Sequence, residues 1–245
     1  MMFIRVYKQA ITRMCVSPFM ADEYKHRYGV LSHVLYPSRA ANSTEYSSIP
    51  HHIGEPKKKL VYAFGGSINT TGHVQALKDL VNALQQSGGQ LNIYGPLSEV
   101  DAKKLGLFQP NVKLCGLLSS NEFIHELRAN VDILFLPMSF ASCDRENMSF
   151  CFPSKLTDYT VAGVPLLIYG PEYSSAVRWT KDNAGVAEVV DDEGVEALMR
   201  SVDRLSDAKY REELGDAALR VGNRYFGHSE VEGQFFNHIL GSNSY

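Results

Sequence analysis

Residues 60–67 read Leu60-Val61-Tyr62-Ala63-Phe64-Gly65-Gly66-Ser67, a compact apolar run that ends in two glycines and a serine. A short apolar run of this kind, closed by glycine, is typical of a strand buried on both faces of a sheet. The next segment, residues 73–86, has the spacing of an amphipathic helix. Its apolar face consists of Val74, Leu77, Leu80, Val81 and Leu84. This stretch therefore predicts the strand–loop–helix unit of an α/β fold.

The same alternation continues to the end of the chain. Short apolar strands are predicted at 91–94, 112–114, 133–136, 165–169 and 187–190. Helices are predicted at 121–129, 172–183, 193–205, 209–225 and 229–240. Strands that are apolar throughout and alternate with helices indicate a parallel sheet covered on both faces. We therefore expect an α/β protein with a Rossmann-like, doubly wound parallel sheet.

The amino-terminal part has a different composition. A helix is predicted at 21–27 and a strand at 30–36, which Pro37 ends. Residues 41–56 are rich in turn-forming residues, which indicates a linker, and the pair His51-His52 is predicted to be solvated there. We therefore predict a segment 1–40 that is too short to be a domain, a linker 41–56 and a large domain 57–245.

Glycine follows three of the predicted strands. Gly65, Gly66 and Ser67 follow the first strand, Gly95 the second, and Gly116 with Leu117 the third. Ligands of open α/β sheets bind beyond the carboxyl ends of the strands, where glycine lets the backbone approach them closely. Any one of these glycines can also serve only to turn the chain. Their repetition favours a ligand site at this edge of the sheet.

Residues 152–165 read Phe-Pro-Ser-Lys-Leu-Thr-Asp-Tyr-Thr-Val-Ala-Gly-Val-Pro and predict a short helix. Pro153 suits the helix entrance, Ser154 offers a capping hydroxyl and Lys155 adds positive charge. Asp158 lies one turn further along on about the same face, where a carboxylate can accept two sugar hydroxyls. A simple buried helix that ends at Gly163 is the alternative interpretation.

This run resembles a signature of the carboxyl-terminal, donor-binding domain of retaining GT-B glycosyltransferases, especially glycosyltransferase family 4. The resemblance extends more weakly from about Met14 to Leu240. It implies that the helix start binds the donor diphosphate, that Asp158 binds the ribose and that the first glycine loop faces the phosphates. The residues that it assigns to donor binding are Gly65, Gly66, Ser67, Gly95, Leu117, Pro153, Ser154, Lys155, Leu156 and Asp158.

The chain departs from the family pattern at two places. Many members have a second acidic residue eight positions before the one that matches Asp158, and Phe150 stands there in this chain. Asp144 or Glu146 can replace it from the preceding loop, although such a polar run is more often plain surface loop. The basic residues usual after the first glycine loop are also missing, so Lys155 is expected to carry more of the phosphate charge.

The resemblance implies a retaining glycosyltransferase that uses a nucleoside-diphosphate sugar without a metal or other cofactor. The acceptor would be a sugar, a lipid or a glycan. Segment 1–40 would be the tail of an otherwise missing acceptor-binding domain, through which the protein could contact a membrane peripherally. We therefore expect the 245-residue chain to bind the donor and to be inactive for transfer by itself.

Composition and missing motifs exclude other classes. A net charge of −3 and a pI near 6.2 give no basis for nucleic-acid binding. The sequence has no dinucleotide-binding G-x-G-x-x-G, no P-loop and no hydrolase or zinc-protease motif. Its first ten residues resemble neither a signal peptide nor a membrane span, so we expect a cytoplasmic protein. The four cysteines lack CxxC spacing and are predicted to be buried thiols.

Two alternatives remain open at this stage. One is a non-catalytic nucleotide-binding or interaction module that kept the fold but lost part of the site, for which Phe150 and the missing basic residues speak. The other is a GT-B protein with another reaction, such as a phosphorylase or an epimerase. Nothing in the sequence singles out a Schiff-base lysine for a phosphorylase of the pyridoxal phosphate type.

Overall fold

The computed structural model describes residues 2–241, so Met1 and residues 242–245, at the ends of the predicted domains, lie outside the described residues. The described part of the chain forms eight strands. They are β1 (Met14–Cys15), β2 (His33–Val34), β3 (Val61–Gly65), β4 (Gln90–Tyr94), β5 (Val112–Gly116), β6 (Ile133–Pro137), β7 (Leu166–Tyr169) and β8 (Glu188–Val190). Strands β3 to β8 form a parallel sheet, which confirms the predicted α/β fold.

Helices connect the strands. They are α1 (Met2–Gln9), α2 (Pro18–Tyr28), α3 (Thr71–Ser87), α4 (Glu99–Leu105), α5 (Ser120–Asn130), α6 (Arg145–Phe150), α7 (Lys155–Val161), α8 (Ser175–Asp182), α9 (Val195–Arg204), α10 (Ala208–Phe226) and α11 (His228–Leu240). The strands and helices predicted from residue 60 onward are confirmed, with small differences at their ends. Helices α1, α4 and α6 were not predicted. Among the described residues, no helix has the length and apolarity needed to cross a membrane.

The order of strands in the sheet is β5-β4-β3-β6-β7-β8. The chain therefore builds outward from β3 on one side and, after a crossover, outward from β6 on the other. Tyr62 of β3 pairs with Ile133 of β6 at the centre, where this reversal occurs. In doubly wound sheets, ligands bind at such a switch point beyond the carboxyl ends of the strands.

Side chains of alternate strand residues enter two separate cores, as the period of two in a strand requires. Tyr62 and Phe64 point to the face covered by α3 and α9. Ala63 and Leu134 point to the opposite face, where α5, α7 and α8 supply buried side chains. Both faces of the sheet are therefore buried under helices, which explains why the strands are apolar throughout.

The amino-terminal segment packs onto the region that leads into α7. Strands β1 and β2 pair in parallel, although the predicted strand 30–36 contributes only its two central residues to this ladder. Phe3, Tyr7, Tyr24 and Tyr28 form an aromatic cluster whose Tyr24 ring also contacts Phe150 of α6. The Ser17 hydroxyl donates a hydrogen bond to the Phe150 carbonyl oxygen.

The predicted linker is partly buried. Residues His51–Gly54 form a 3-10 turn in which Ile53 is fully buried. His51 is exposed as predicted, but the prediction that His52 is solvated is wrong, because its Nε2 atom lies 3.0 Å from the Val131 carbonyl oxygen. The composition of the linker could not predict this burial, because the contact comes from a distant part of the chain.

The prediction that the cysteines are buried thiols is only partly right. Cys15 is buried, Cys115 and Cys151 are half-buried and Cys143 is exposed, and all of them are free thiols. Burial raises the pKa of Cys115 and Cys151, which keeps these thiols protonated.

Arg211 fastens the linker segment to the large domain. This fully buried side chain of α10 donates to the carbonyl oxygens of Ile53 (3.2 Å), Glu55 (2.6 Å), Leu205 (2.8 Å) and Ser206 (2.9 Å). Its N–H groups thus satisfy backbone oxygens from two segments that are distant in sequence. Removing the guanidinium would leave the buried oxygens of Ile53 and Leu205 without this donor.

We predict that Arg211→Met lowers the free energy of unfolding by roughly 3 kcal/mol or more, because several hydrogen bonds from a charged donor are lost at once. Urea denaturation followed by circular dichroism measures this change. Arg220→Met, an exposed position on the same helix, is the matched control and should change it by less than about 0.5 kcal/mol. Equal effects of the two substitutions would contradict the structural role of Arg211.

Candidate functional site

Hydrogen bonds join the glycines at the ends of β3, β4 and β5. The Gly66 N–H donates to the Tyr94 carbonyl oxygen at 2.7 Å, and the Gly95 N–H donates to the Gly116 carbonyl oxygen at 2.8 Å. Gly66 has a φ angle of 125°, which L side chains rarely adopt. A Cβ atom on Gly95 would lie 2.4 Å from the Gly66 carbonyl oxygen. Glycine is therefore required here for the strand ends to come this close.

Helix α7 is held at this edge by a buried tyrosine. The Gly65 N–H donates to the Tyr159 hydroxyl at 2.8 Å, and that hydroxyl lies 3.4 Å from the Gly65 carbonyl oxygen. Tyr159 is 1% exposed, and its burial raises the pKa of the phenol well above the ordinary value. The phenol thus stays neutral and positions the helix against the end of β3.

A cavity of about 270 Å³ opens between the strand ends and α7. Strand ends and the loops that follow them supply one wall, α5 a second and α7 a third. The lining residues are Gly65, Gly66, Tyr94, Gly95, Leu117, Leu118, Ser120, Phe123, Lys155, Asp158 and Tyr159. The cavity thus combines an apolar side near Phe123 with a charged side on α7.

Lys155 is the cation of this cavity. Its Nζ atom lies 5.4 Å from the centre of the Phe64 ring, and a Cβ atom on Gly66 would lie 3.1 Å from Nζ. The ammonium group therefore sits directly over the glycine backbone, in a position that a side chain at residue 66 would block. Burial lowers the pKa of Lys155, which indicates that the protein only partly compensates for its lost hydration. An anion in the cavity would restore that compensation.

Asp158 is the carboxylate of the cavity, one helical turn beyond Lys155. Its side chain is open to the solvent of the cavity, while protein encloses its other sides. This partial burial raises the pKa of Asp158, and the positive charge of Arg39 lowers it. Lys155 and Asp158 thus present a cation and a hydrogen-bond acceptor from one face of α7, as the sequence predicts.

Six of the ten predicted donor-binding residues line the cavity: Gly65, Gly66, Gly95, Leu117, Lys155 and Asp158. Ser67, Pro153, Ser154 and Leu156 do not. The Leu156 side chain is fully buried in the core, which leaves it no side-chain contact with a ligand in this cavity. The predicted capping role of Ser154 is wrong, because this residue has helical dihedral angles and its side chain makes no capping bond.

The start of α7 is also tighter than predicted. The N–H groups of Leu156 and Thr157 donate to the carbonyl oxygens of Pro153 and Ser154, at 3.1 and 3.0 Å. These two amides are therefore already paired. The charge of Lys155 carries more of any attraction for an anion than the helix start does.

Phe150, which stands where the family pattern has a second acidic residue, packs against other side chains. Phe150 contacts the ring of Tyr24, and the guanidinium of Arg27 lies 5.6 Å from the centre of the Phe150 ring. Glu146, one of the two suggested substitutes, forms an ion pair with Arg27. Asp144, the other, has a buried Oδ2 atom without a hydrogen-bond partner among the described residues. Neither of the two suggested substitutes lines the cavity.

Sequence reasoning missed five side chains of the cavity wall and one residue whose charge acts on Asp158. Tyr94, Leu118, Ser120, Phe123 and Tyr159 line the cavity, and Arg39 is the charged residue that lowers the pKa of Asp158. One usable signal was Ser119 with Glu122, which forms a capping box and starts α5 directly after the third strand. No local signal identifies Arg39, because it belongs to a segment far from α7 in sequence. Among the described residues, no group of metal-ligating side chains is large enough to hold an ion.

No protein-family model matches this sequence, and no curated protein matches it. Solved structures do resemble it. A glycosyltransferase from Rickettsia africae has a TM-score of 0.70 at 16% identity, covering 99% of this chain and 68% of its own. HepE from Anabaena, solved with UDP and glucose, has a TM-score of 0.68 at 14% identity, covering 96% of this chain and 65% of its own.

TarM has a TM-score of 0.70 at 10% identity, and the match covers 99% of this chain but 45% of TarM. The chain thus spans less than two thirds of both HepE and TarM. At these identities the likeness concerns the fold alone. The fold is the Rossmann-like fold of GT-B glycosyltransferases, with the cavity at its switch point.

We predict that Tyr159→Phe lowers the free energy of unfolding by about 1–3 kcal/mol, because the buried Gly65 N–H loses its hydrogen bond to the Tyr159 hydroxyl. Chemical denaturation measures the loss, and hydrogen exchange should become faster at the Gly65 amide. Tyr46→Phe, which removes an exposed hydroxyl 3.4 Å from His125, is the control and should have little effect. An unchanged exchange rate at Gly65 would contradict the docking role of Tyr159.

Proposed function

We propose that this chain is the donor-binding part of a retaining, metal-independent glycosyltransferase that uses a nucleoside-diphosphate sugar. The observation that carries the proposal is that Lys155 and Asp158, on one face of α7, line one cavity with Gly65, Gly66 and Gly95 at the ends of two strands. A nucleoside diphosphate needs a cation for its phosphates, an acceptor for its ribose hydroxyls and an apolar surface for its base. The cavity offers these three features side by side.

Each part of the donor has a proposed contact. The ammonium group of Lys155, above Gly66, would bind the diphosphate, and the Asp158 carboxylate would accept hydrogen bonds from the ribose hydroxyls. The base would pack against Leu117, Leu118 and Phe123. Support for a uridine base comes from HepE and from the pneumococcal O-GlcNAc transferase GtfA, which were crystallised with UDP.

Electrostatics would account for the chemistry. When the bond from the sugar to the diphosphate breaks, negative charge develops on the leaving oxygen. Lys155 would stabilise that charge, in a site where surrounding protein limits screening by water. A metal ion would not be needed to stabilise the leaving diphosphate. Retention at the sugar carbon follows from the family resemblance.

The whole enzyme would contain a further domain. HepE and TarM extend well beyond the part that this chain matches. We propose that residues 57–245 form the donor domain, that 41–56 connect it and that 1–40 are the tail of an acceptor-binding domain. That further domain would bind the sugar, lipid or glycan acceptor and would make any peripheral membrane contact.

Two other functions have an observation in their favour. A non-catalytic binding module would explain why Phe150 fills the position of a carboxylate. An epimerase is favoured by a Listeria monocytogenes protein described as a UDP-N-acetylglucosamine 2-epimerase, which has a TM-score of 0.50 at 13% identity. The protein would be incubated with UDP-N-acetylglucosamine and the configuration at carbon 2 of the sugar followed by NMR. Inversion at this carbon would distinguish epimerisation from transfer.

We predict that Asp158→Ala weakens UDP binding by at least about tenfold, because each lost hydrogen bond to a charged acceptor contributes roughly 1.5–3 kcal/mol. Lys155→Met should weaken UDP binding strongly and uridine binding little, since only UDP carries the diphosphate. Isothermal titration calorimetry at constant salt measures both effects. A thermal-shift panel of UDP, GDP, ADP, dTDP and CMP would identify the base.

Asp216→Ala and Lys58→Met are the matched controls, since both change exposed residues outside the cavity. They should leave the affinity for UDP within about twofold of the unsubstituted protein. Unchanged affinity in folded Asp158→Ala and Lys155→Met proteins would remove the basis for the nucleotide site.

We also predict that the chain binds UDP but does not transfer glucose from UDP-glucose to sugar or lipid acceptors at an ordinary enzymatic rate. Positioning both substrates across a two-domain cleft can supply roughly 7–11 kcal/mol of the barrier, which one domain lacks. Binding and transfer are measured on the same preparation. A turnover of about 1 s⁻¹ or more by this chain alone would contradict the need for a further domain.

A further inference from the structure

Arg39 is a buried cation with only neutral hydrogen-bond partners among the described residues. Its side chain is 3% exposed. The guanidinium donates to the Thr157 carbonyl oxygen at 3.2 Å, to the Thr160 hydroxyl at 3.2 Å and to the Asn223 side-chain oxygen at 2.6 Å. These bonds use three of its five N–H groups and do not neutralise its charge. Burying such a charge is unfavourable unless a negative group lies nearby.

The residues around Arg39 leave space for its side chain. The Arg39 N–H donates to the Phe226 carbonyl oxygen, which fastens this segment to the end of α10. A Cβ atom on Gly222 of α10 would lie 2.7 Å from the Arg39 Nη2 atom and 2.1 Å from the Thr160 hydroxyl oxygen. Glycine at position 222 therefore leaves the space in which the guanidinium bridges α10 and α7.

Asp158 and Glu45 are the negative groups that act on Arg39. Burial lowers the pKa of Arg39 to about 10, while Glu45 and Asp158 raise it. Glu45 is exposed, whereas Asp158 follows directly after Thr157, whose carbonyl oxygen Arg39 contacts. Lys155 lies on the other side of Asp158 in the cavity, and the neutral Tyr159 phenol follows it on α7. The positive charge that acts on Asp158 is that of Arg39, which belongs to a segment outside the predicted donor domain.

We propose that Arg39 is a positioning residue of the donor site: its buried guanidinium braces α7 and keeps the Asp158 carboxylate ionised as an acceptor for the ribose hydroxyls. The inference rests on the proposed nucleotide site. It also explains why an arginine is buried where no ion pair is formed. The amino-terminal segment then contributes to donor binding without touching the donor.

The test is the pH dependence of UDP affinity in a variant that removes the charge. Arg39→Gln keeps a hydrogen-bond donor but no charge, so Asp158 should take up a proton at higher pH than in the unsubstituted protein. The affinity of Arg39→Gln relative to the unsubstituted protein should therefore fall by roughly two- to fivefold between pH 7.5 and pH 5, as a rise of about one unit in the pKa of Asp158 requires. The UDP phosphate titrates equally in measurements on both proteins, so its effect cancels in the ratio of their two affinities.

Two further variants separate charge from packing. Arg39→Lys keeps the charge and should keep the unsubstituted pH dependence, even if its melting temperature falls. In an Asp158→Asn background, Arg39→Gln should add no pH dependence, because the titrating group is gone. A ratio that is equal at both pH values, or a pH effect that persists in the Asp158→Asn background, would overturn the proposal.

A direct titration covers the case in which Arg39→Gln does not fold. The Asp158 carboxyl carbon of the unsubstituted protein is followed by NMR as the pH is lowered. A carboxylate that is mostly ionised at pH 5 supports the proposal, and one that is half-protonated at pH 5 or above overturns it. If the unsubstituted protein binds no UDP at either pH, the nucleotide site itself fails, while this titration still decides whether Asp158 stays ionised in the folded protein.

Discussion

The hydrogen bond from the Gly65 N–H to the buried Tyr159 hydroxyl connects the two halves of the site. It fixes α7 against the end of β3, and α7 carries the charged residues of the cavity. The glycine ends of β3, β4 and β5 close the opposite wall through their own hydrogen bonds. If the helix shifted away from β3, Lys155 would leave its place above Gly66 and the cavity would lose its cation.

Buried charge is the second constraint on this region. Lys155, Asp158 and Arg39 lie on or beside α7, and each has a pKa that the loss of hydration shifts. The pKa of Lys155 is lowered and that of Asp158 is raised by burial, so both groups favour a ligand that restores their interactions. A nucleoside diphosphate brings an anion to Lys155 and hydroxyl groups to Asp158. Perturbed charges that ion pairing does not explain are typical of binding sites.

The sequence predicts the sheet well because its strands are short, apolar and closed by glycine, and this pattern is local. The same holds for Lys155 and Asp158, whose spacing on a helix follows from the helical repeat. Prediction failed where distant segments decide the outcome. His52 packs on Val131, Arg39 contacts α7 from the amino-terminal segment, and Phe150 packs against Tyr24. Ser154 failed for a local reason, since the helix start adopts a tight turn that leaves its hydroxyl out of the cap.

Backbone amide NMR of the protein titrated with UDP tests the central claim most directly. If the nucleotide binds at the strand ends, the amide signals of Gly66, Gly95, Leu117 and Lys155 should shift in proportion to saturation. Signals of Asp192 and Arg200, which line a separate cavity, should remain in place. The absence of shifts at the strand-end glycines in saturating UDP, or shifts confined to another surface, would contradict the assignment of this cavity to a nucleotide-sugar donor.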